Sequence, residues 1–227
     1  MKFALVDGQR MEARSGLTGT CPGCQRDVIA KCGNVMVHHW AHLGQRVCDP
    51  WWENESEWHR NWKSNFPLDW QEIVHKAEDG ELHFADVKTA HSWVLEFQNS
   101  PIDATERISR NSFYPKLVWV VNGLRRGKDL AQFKKSLCEI GSPVLEAFYR
   151  RIFEIRSEKV AIVREWSGPV PVFFDFGEEH VLWCLLPIEP GRNQFVVECS
   201  RKNFIKIHNM NDEKDLFAKE MDVLLSL

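Results

Sequence analysis

Cys21-Pro22-Gly23-Cys24, followed by His38-His39-Trp40-Ala41-His42, constrains the start of this chain more than any other feature. Two thiolates on a tight knuckle can face one ion, and the imidazoles arrive after a separation long enough for a small hairpin. Cys21, Cys24, His39 and His42 form a Cys2His2 set suited to tetrahedral zinc. His38 and Cys48 are substitutes if the fold brings them closer, and Cys32 is a weaker one. Residues 1–52 are rich in Gly, Cys and His and poor in long periodic runs, so they read as a small module that needs help to fold. The rival readings are unconnected thiols and surface imidazoles, or a redox Cys-x-x-Cys, for which the expected βαβ context is missing.

The cysteine count points the same way. Seven Cys make an odd number with no dense framework, which in a reducing compartment means metal ligands plus scattered core thiols rather than disulfides. Residues 1–10 lack the apolar run of a secretory signal, and no later stretch reaches transmembrane length. The expected location is the cytoplasm, with no membrane partner. A net charge of -3, from Lys+Arg 29 against Asp+Glu 32, excludes a broadly basic surface, so any nucleic-acid site must be a local patch. Trp40, Trp51, Trp52, Trp58, Trp62 and Trp70 crowd into one stretch, where large rings would close a core between two small modules.

Beyond residue 52 the pattern alternates. A helical period runs over 53–66, strand alternation over 81–87 and 93–98, a helix over 103–114, an apolar strand over 117–121 and a helix over 129–139. That alternation predicts an α/β core over 53–140. In the remaining 141–227, Ser142-Pro143 resembles an N-cap and first turn, opening an amphipathic helix to 156. Strand-like runs follow at 160–165, 170–176, 181–186, 194–199 and 204–207, then a helix from 212, which together predict an α+β extension.

Asp86 and Glu96-Phe97-Gln98 carry the chemistry. With side chains alternating at period two, Val94, Glu96 and Gln98 share one strand face, and a hairpin could set Asp86 beside Glu96. Two adjacent carboxylates repel and need a cation, and Mg²⁺ takes one or two carboxylates plus phosphate oxygens and water. On a wheel drawn over 53–66, Glu55 and His59 share the apolar face with Trp62 and Phe66. A carboxylate there must be paired or bind metal, which makes Glu55 a third acid for the site. His59 reads equally as a core histidine bonded to a neighbour. Arg107, Arg110 and Tyr114 form a helix stripe that could grip a phosphate, or else a solvated face with ordinary ion pairs.

These motifs occur in an order that resembles a known family. Cys-Pro-x-Cys, His39-Trp-Ala-His42, Glu55-Ser56-x-x-His59-x-x-x-Lys63, His83-x-x-Asp86-Val87, Glu96-Phe97-Gln98-x-Ser100, Arg110-x-x-x-Tyr114 and Val118-Trp119-Val120 resemble the CoiA-like competence nucleases of the PD-(D/E)xK superfamily. The likeness covers roughly residues 21–123. It implies a restriction-endonuclease-like core, a central mixed sheet flanked by helices, behind an N-terminal zinc module and ahead of the C-terminal extension. It further implies Asp86, Glu96 and Glu55 as ligands of a catalytic Mg²⁺ or Mn²⁺, with Gln98 in the place of the superfamily's lysine. Gln98 and His59 would orient water or phosphate. The missing positive charge would come from Lys63, Lys88 or Arg110, and Lys63, Lys88, Arg107, Arg110 and Tyr114 would contact DNA.

The function expected is metal-dependent hydrolysis of DNA phosphodiester bonds, with structural zinc, in DNA uptake, processing or defence. Two rivals come from other classes. One is an inert DNA-binding accessory module on the same fold. The other is a zinc-stabilised protein-interaction domain that recruits a partner through the C-terminal extension.

Overall fold

The structure, a computed structural model, describes every residue except 45–47, 52–54, 78–79, 148–149, 189–192 and 227. The chain divides into two compact units, Met1–Lys88 and Thr89–Leu227. Trp52 and Glu53, where the composition shifts, lie outside the described residues. No helix among the described residues is long and apolar enough to cross a membrane.

The first unit opens with a five-stranded antiparallel sheet: β1 (Phe3–Val6), β2 (Gln9–Glu12), β3 (Thr18–Thr20), β4 (Asp27–Lys31) and β5 (His39–His42), in the order β2-β1-β3-β4-β5. Asp7 and Gly8, at φ 50° and 77°, form the two-residue loop between β1 and β2, a turn that requires positive φ at both positions. Met1, Ala4, Ala13, Cys21, Val28 and Trp40 are its buried core, with Cys24, Cys48 and Phe84 packed against them. So small a core buries little area, and the knuckle residue Cys21 is part of it.

Helix α1 (Glu57–Lys63) follows, then a 3-10 turn (Leu68–Trp70) and the antiparallel pair β6 (Gln71–Lys76) and β7 (Leu82–Lys88). The helix is shorter than the 53–66 predicted from its period. Ser56 caps it, accepting from His59 N–H while the His59 ring accepts from Ser56 N–H, a reciprocal capping box that fixes the first turn at Glu57. Glu55 therefore precedes the helix rather than lying on its apolar face. At the other end the buried Gln71 amide donates to the carbonyls of Lys63 (2.9 Å) and Phe66 (2.8 Å), joining the end of α1 to β6.

The second unit is a mixed sheet with helices. It comprises β8 (Val94–Gln98), α2 (Ala104–Phe113), β9 (Leu117–Asn122), α3 (Asp129–Ile140), β10 (Leu145–Ala147), β11 (Arg150–Ile155), α4 (Ala161–Trp166), β12 (Val172–Asp175), β13 (Val181–Leu185), β14 (Gln194–Ser200), α5 (Arg201–Asn209) and α6 (Leu216–Leu225). Strands β8, β9 and β12 are parallel neighbours, and β13, β14, β11 and β10 continue the sheet antiparallel. All five residues of β8 are buried, as expected of a strand covered on both faces. The strands after residue 141 thus extend the sheet that β8 and β9 begin.

Three elements differ from their sequence expectation, each through a short window. Within the predicted helix over 142–156 the described residues instead form β10 (Leu145–Ala147) and β11 (Arg150–Ile155), with Ile152 and Phe153 buried in pairing with Val197 and Val196 of β14. Residues 160–165 are helical, with Ile162 and Trp166 four apart on the buried side of α4. Residues 204–207 lie within α5, where Ser200 caps the helix and Phe204 and His208 are buried one turn apart. A four-residue apolar run does not distinguish a period of 2 from one of 3.6.

Candidate functional site

Two polar clusters and one ion-pair chain hold the candidate residues. The first cluster is built on the knuckle. Cys21, Cys24, His42 and Cys48 bring one donor atom each to within 4.8 Å of all the others. The Sγ atoms of Cys21 and Cys48 are 3.8 Å apart, and His42 Nε2 lies 3.3 Å from the Sγ atoms of both Cys24 and Cys48. With bonds of about 2.3 Å to sulfur and 2.0–2.1 Å to nitrogen, these are the edge lengths of a tetrahedron around zinc. The hydrogen bond from Cys48 draws the Cys21 thiol down to about 5 although burial opposes it, and the same bond together with burial pushes Cys48 up.

The donor set corrects the expected one at a single position. His39 is outside it, and Cys48 completes the four. His39 and His42 are three apart on β5, and side chains three apart on a strand point to opposite faces. His39 instead donates from Nδ1 to the Val37 carbonyl, 2.9 Å away, and His38 is exposed.

The knuckle is fastened to β7. A Cβ on Gly23 would stand 2.8 Å from Phe84 Cζ and 2.9 Å from Leu82 Cδ2, so only glycine lets the knuckle lie this close. Asp49, next to Cys48, accepts from Phe84 N–H (3.1 Å) and contacts His83 Nδ1 (3.0 Å), and Trp51 stacks on the His83 ring. His83 is buried between Asp49 and Glu81, the latter 2.9 Å from its Nε2.

The second cluster surrounds Lys63 at the end of α1. Its ammonium is buried and faces Glu55, Glu72 Oε1 at 3.2 Å and Asp86 Oδ1 at 3.5 Å. Burial alone would lower the Lys63 pKa; Glu72, Asp86 and Glu55 together outweigh it and hold the pKa above the usual lysine value. Glu72 also accepts from the backbone N–H groups of Lys2 (2.7 Å) and Phe3 (3.1 Å). Burial pushes its carboxyl up, but Lys63, the Met1 amino group and those two N–H donors bring it down to about 2. Glu72 was not visible as a site residue in the sequence. Its signal is conformational, a φ of 46° inside a strand.

Glu55 forms two ion pairs. One carboxylate oxygen meets Arg60 and the other Lys63, so both are already engaged by cations. His59 is buried in the capping box with Ser56, where Nδ1 accepts from Ser56 N–H. Lys88 is half-buried on β7, and its charge, after burial, helps lower His75 to about 4.

In the second unit, Glu96 and Gln98 are buried on β8. Glu96 Oε2 accepts from Arg110 Nη1 at 3.0 Å, and Arg110 also pairs with Glu106 one turn earlier on α2. Gln98 donates to the Ser100 carbonyl at 3.1 Å and lies 3.3 Å from its hydroxyl. Arg107 is half-buried with its guanidinium 5.8 Å from the Trp166 ring centre. Tyr114 is buried at the end of α2, edge-on to Phe113.

Comparison with known proteins reaches the knuckle region. Residues 9–50 match the family described as competence protein CoiA, N-terminal domain. Over this segment the chain is CoiA-like. The CoiA-like segment includes three of the four clustered donors plus Cys48 near its end, and it stops before α1. No curated protein and no solved structure matches the chain.

Proposed function

We propose that this CoiA-like chain is a metal-dependent nuclease that hydrolyses phosphodiester bonds in DNA, in the handling of incoming DNA that the competence family name implies. The observation that supports it best is the Asp86 carboxylate, half-buried on β7 and held by a buried lysine. Surface acids are normally solvated and unfixed, whereas an acid that must bind an ion is oriented by partners behind it. In this reading Asp86 and Glu96 supply the carboxylates, as their motif spacing implies. A bound Mg²⁺ or Mn²⁺ supplies Lewis-acid stabilisation of the reacting phosphate. Gln98 hydrogen-bonds water or phosphate, and Arg107 and Lys88 contact the DNA backbone. The Cys21, Cys24, His42 and Cys48 set has no open position and serves structure. The PD-(D/E)xK core remains part of this proposal.

A second reading is favoured by one specific contact. Glu96 is buried with Arg110, which is the state of a carboxylate serving the fold, so the module could bind DNA without cleaving it. Incubating linear and circular, single- and double-stranded DNA with Mg²⁺, Mn²⁺ or chelator separates the two. Cleavage that needs the ion and is lost in a folded Asp86→Ala protein supports the nuclease. Undiminished cleavage by that variant would sink it, and DNA binding without cleavage selects the inert module.

A further inference from the structure

The nuclease reading calls for a cation where the motif has Gln98, and the sequence offers Lys63, Lys88 and Arg110 as candidates. Arg110 is engaged by Glu96 and Glu106, so its charge is neutralised within its own surroundings. Lys88 is half-buried beside His75. Lys63 has its ammonium 3.5 Å from Asp86 Oδ1.

The way Lys63 is held matters as much as the distance. Glu55 comes from the segment before α1, Glu72 from β6 and Asp86 from β7, so three separate stretches converge on one nitrogen. Lys63 itself is fixed at the end of α1 through the Gln71 amide on its carbonyl. The side chain of Glu72 is 10% exposed, that of Glu55 9% and that of Asp86 23%, so Asp86 is the member that opens toward solvent. Glu72 has a positive φ of 46°, a conformation that persists only where the surroundings enforce it. An ammonium needed merely for charge balance would call for neither three converging acids nor that backbone.

We propose that Lys63 is a positioning residue for the candidate site: anchored by Glu55 and Glu72, its ammonium fixes the Asp86 carboxylate. The proposal rests on the nuclease reading for its consequence but not for its geometry. The Lys63 side chain is 2% exposed, so in this proposal it acts through Asp86 rather than on the DNA.

Two variants test it. Lys63→Arg keeps the charge but moves the donors; Lys63→Met with Glu72→Gln removes one charge of each sign and preserves the net balance. Both are first checked for a native thermal melt. Partners behind a metal ligand typically alter affinity or activity by about 10–100-fold. The expected result is therefore a fall of at least about tenfold in kcat with KM for DNA changed by less than about threefold. Mn²⁺ titrated calorimetrically into the protein alone should bind about tenfold more weakly to both variants. Wild-type kcat and wild-type Mn²⁺ affinity in either folded variant overturn the proposal and leave Lys63 a counter-ion. If the wild type cleaves no DNA, the nuclease reading fails by itself, and the Mn²⁺ titration then decides: weaker binding in the variants supports the role of Lys63. Equal binding, or no binding by the wild type, overturns it.

Discussion

The knuckle cluster and the Lys63 cluster are both buried polar groups in the first unit, and they balance their charge in opposite ways. Cys21, Cys24, His42 and Cys48 gather donors around a point that only an external cation can fill. Glu55, Glu72 and Asp86 gather acids around a cation that the chain itself provides. With a metal ion bound, the first arrangement would tie folding to metal supply. The second is complete as soon as the chain folds, and it leaves Asp86 oriented. Asp49 connects the two, because it follows Cys48 and bonds to β7 at His83 and Phe84, two residues before Asp86.

The largest effect should come from removing zinc. Structural zinc sites in small peptides contribute about 10–16 kcal/mol of apparent binding energy, comparable to or above the whole stability of about 5–15 kcal/mol of an ordinary domain. Chelation, or Cys48→Ser, should abolish amide protection in β1 to β5 and loosen β7 through Asp49. Hydrogen exchange on the zinc-free protein measures this directly, and retained protection in β4 and β5 would show that the sheet stands without metal. Next is Lys63→Met, which strands buried acids and should destabilise by about 3–5 kcal/mol in urea unfolding. Adding Glu72→Gln should recover part of that loss. No recovery would mean that Lys63 and Glu72 are not energetically coupled.

The Lys63 cluster should also be the acid-sensitive one. Glu72 has its carboxyl lowered to about 2 in the folded state, from an unfolded value near 4.5. A depressed carboxylate contributes stability that is present above its unfolded pKa and lost as pH falls toward its folded one. Stability should therefore decline between about pH 4.5 and 2, with Glu72 accounting for roughly 3 kcal/mol. Glu72→Gln should flatten that part of the curve, and an unchanged slope would assign the acid transition to other groups. Gly23→Ala presses on Phe84 and Leu82 and should cost about 1–3 kcal/mol, with less if the Phe84 ring swings aside.

Much of this was legible in the sequence, and the failures have a common cause. Alternation located β7, β8 and β9, and helix periodicity located α2 and α3, because each of these runs five residues or more with its buried face set locally. Glu55 was singled out as an acid that needed a partner. Its partners, Lys63 and Arg60, were not readable, because Ser56 and His59 start the helix after Glu55. Glu72 was missed altogether: nothing in Gln71-Glu72-Ile73 announces a positive φ. The hairpin of β1 and β2 was signalled by Asp7-Gly8, but strands of four residues carry too little periodicity to be recognised alone. Exchange of Cys48 for His39 turned on whether His-x-x-His lay on a helix, where i and i+3 share a face, or on a strand, where they do not.

That exchange supplies the smallest expected effect and the most direct check on the ligand set. His39 is half-buried and, among the described residues, bonds to a carbonyl two residues away, so His39→Ala should change stability by less than about 0.5 kcal/mol. Zinc content, measured by metal release under a thiol reagent, should stay at the wild-type value. His42→Ala removes the nitrogen that lies 3.3 Å from two of the sulfurs, and it should lower zinc retention at the same chelator concentration. The pair of variants leaves little room for compensation, since both residues occupy β5 and both are imidazoles. Zinc loss in His39→Ala with retention in His42→Ala would mean that β5 has the opposite face toward the knuckle. The strand register Ala30↔Trp40 that buries Trp40 would then be wrong as well, because a one-residue slip exchanges the two faces of the whole strand.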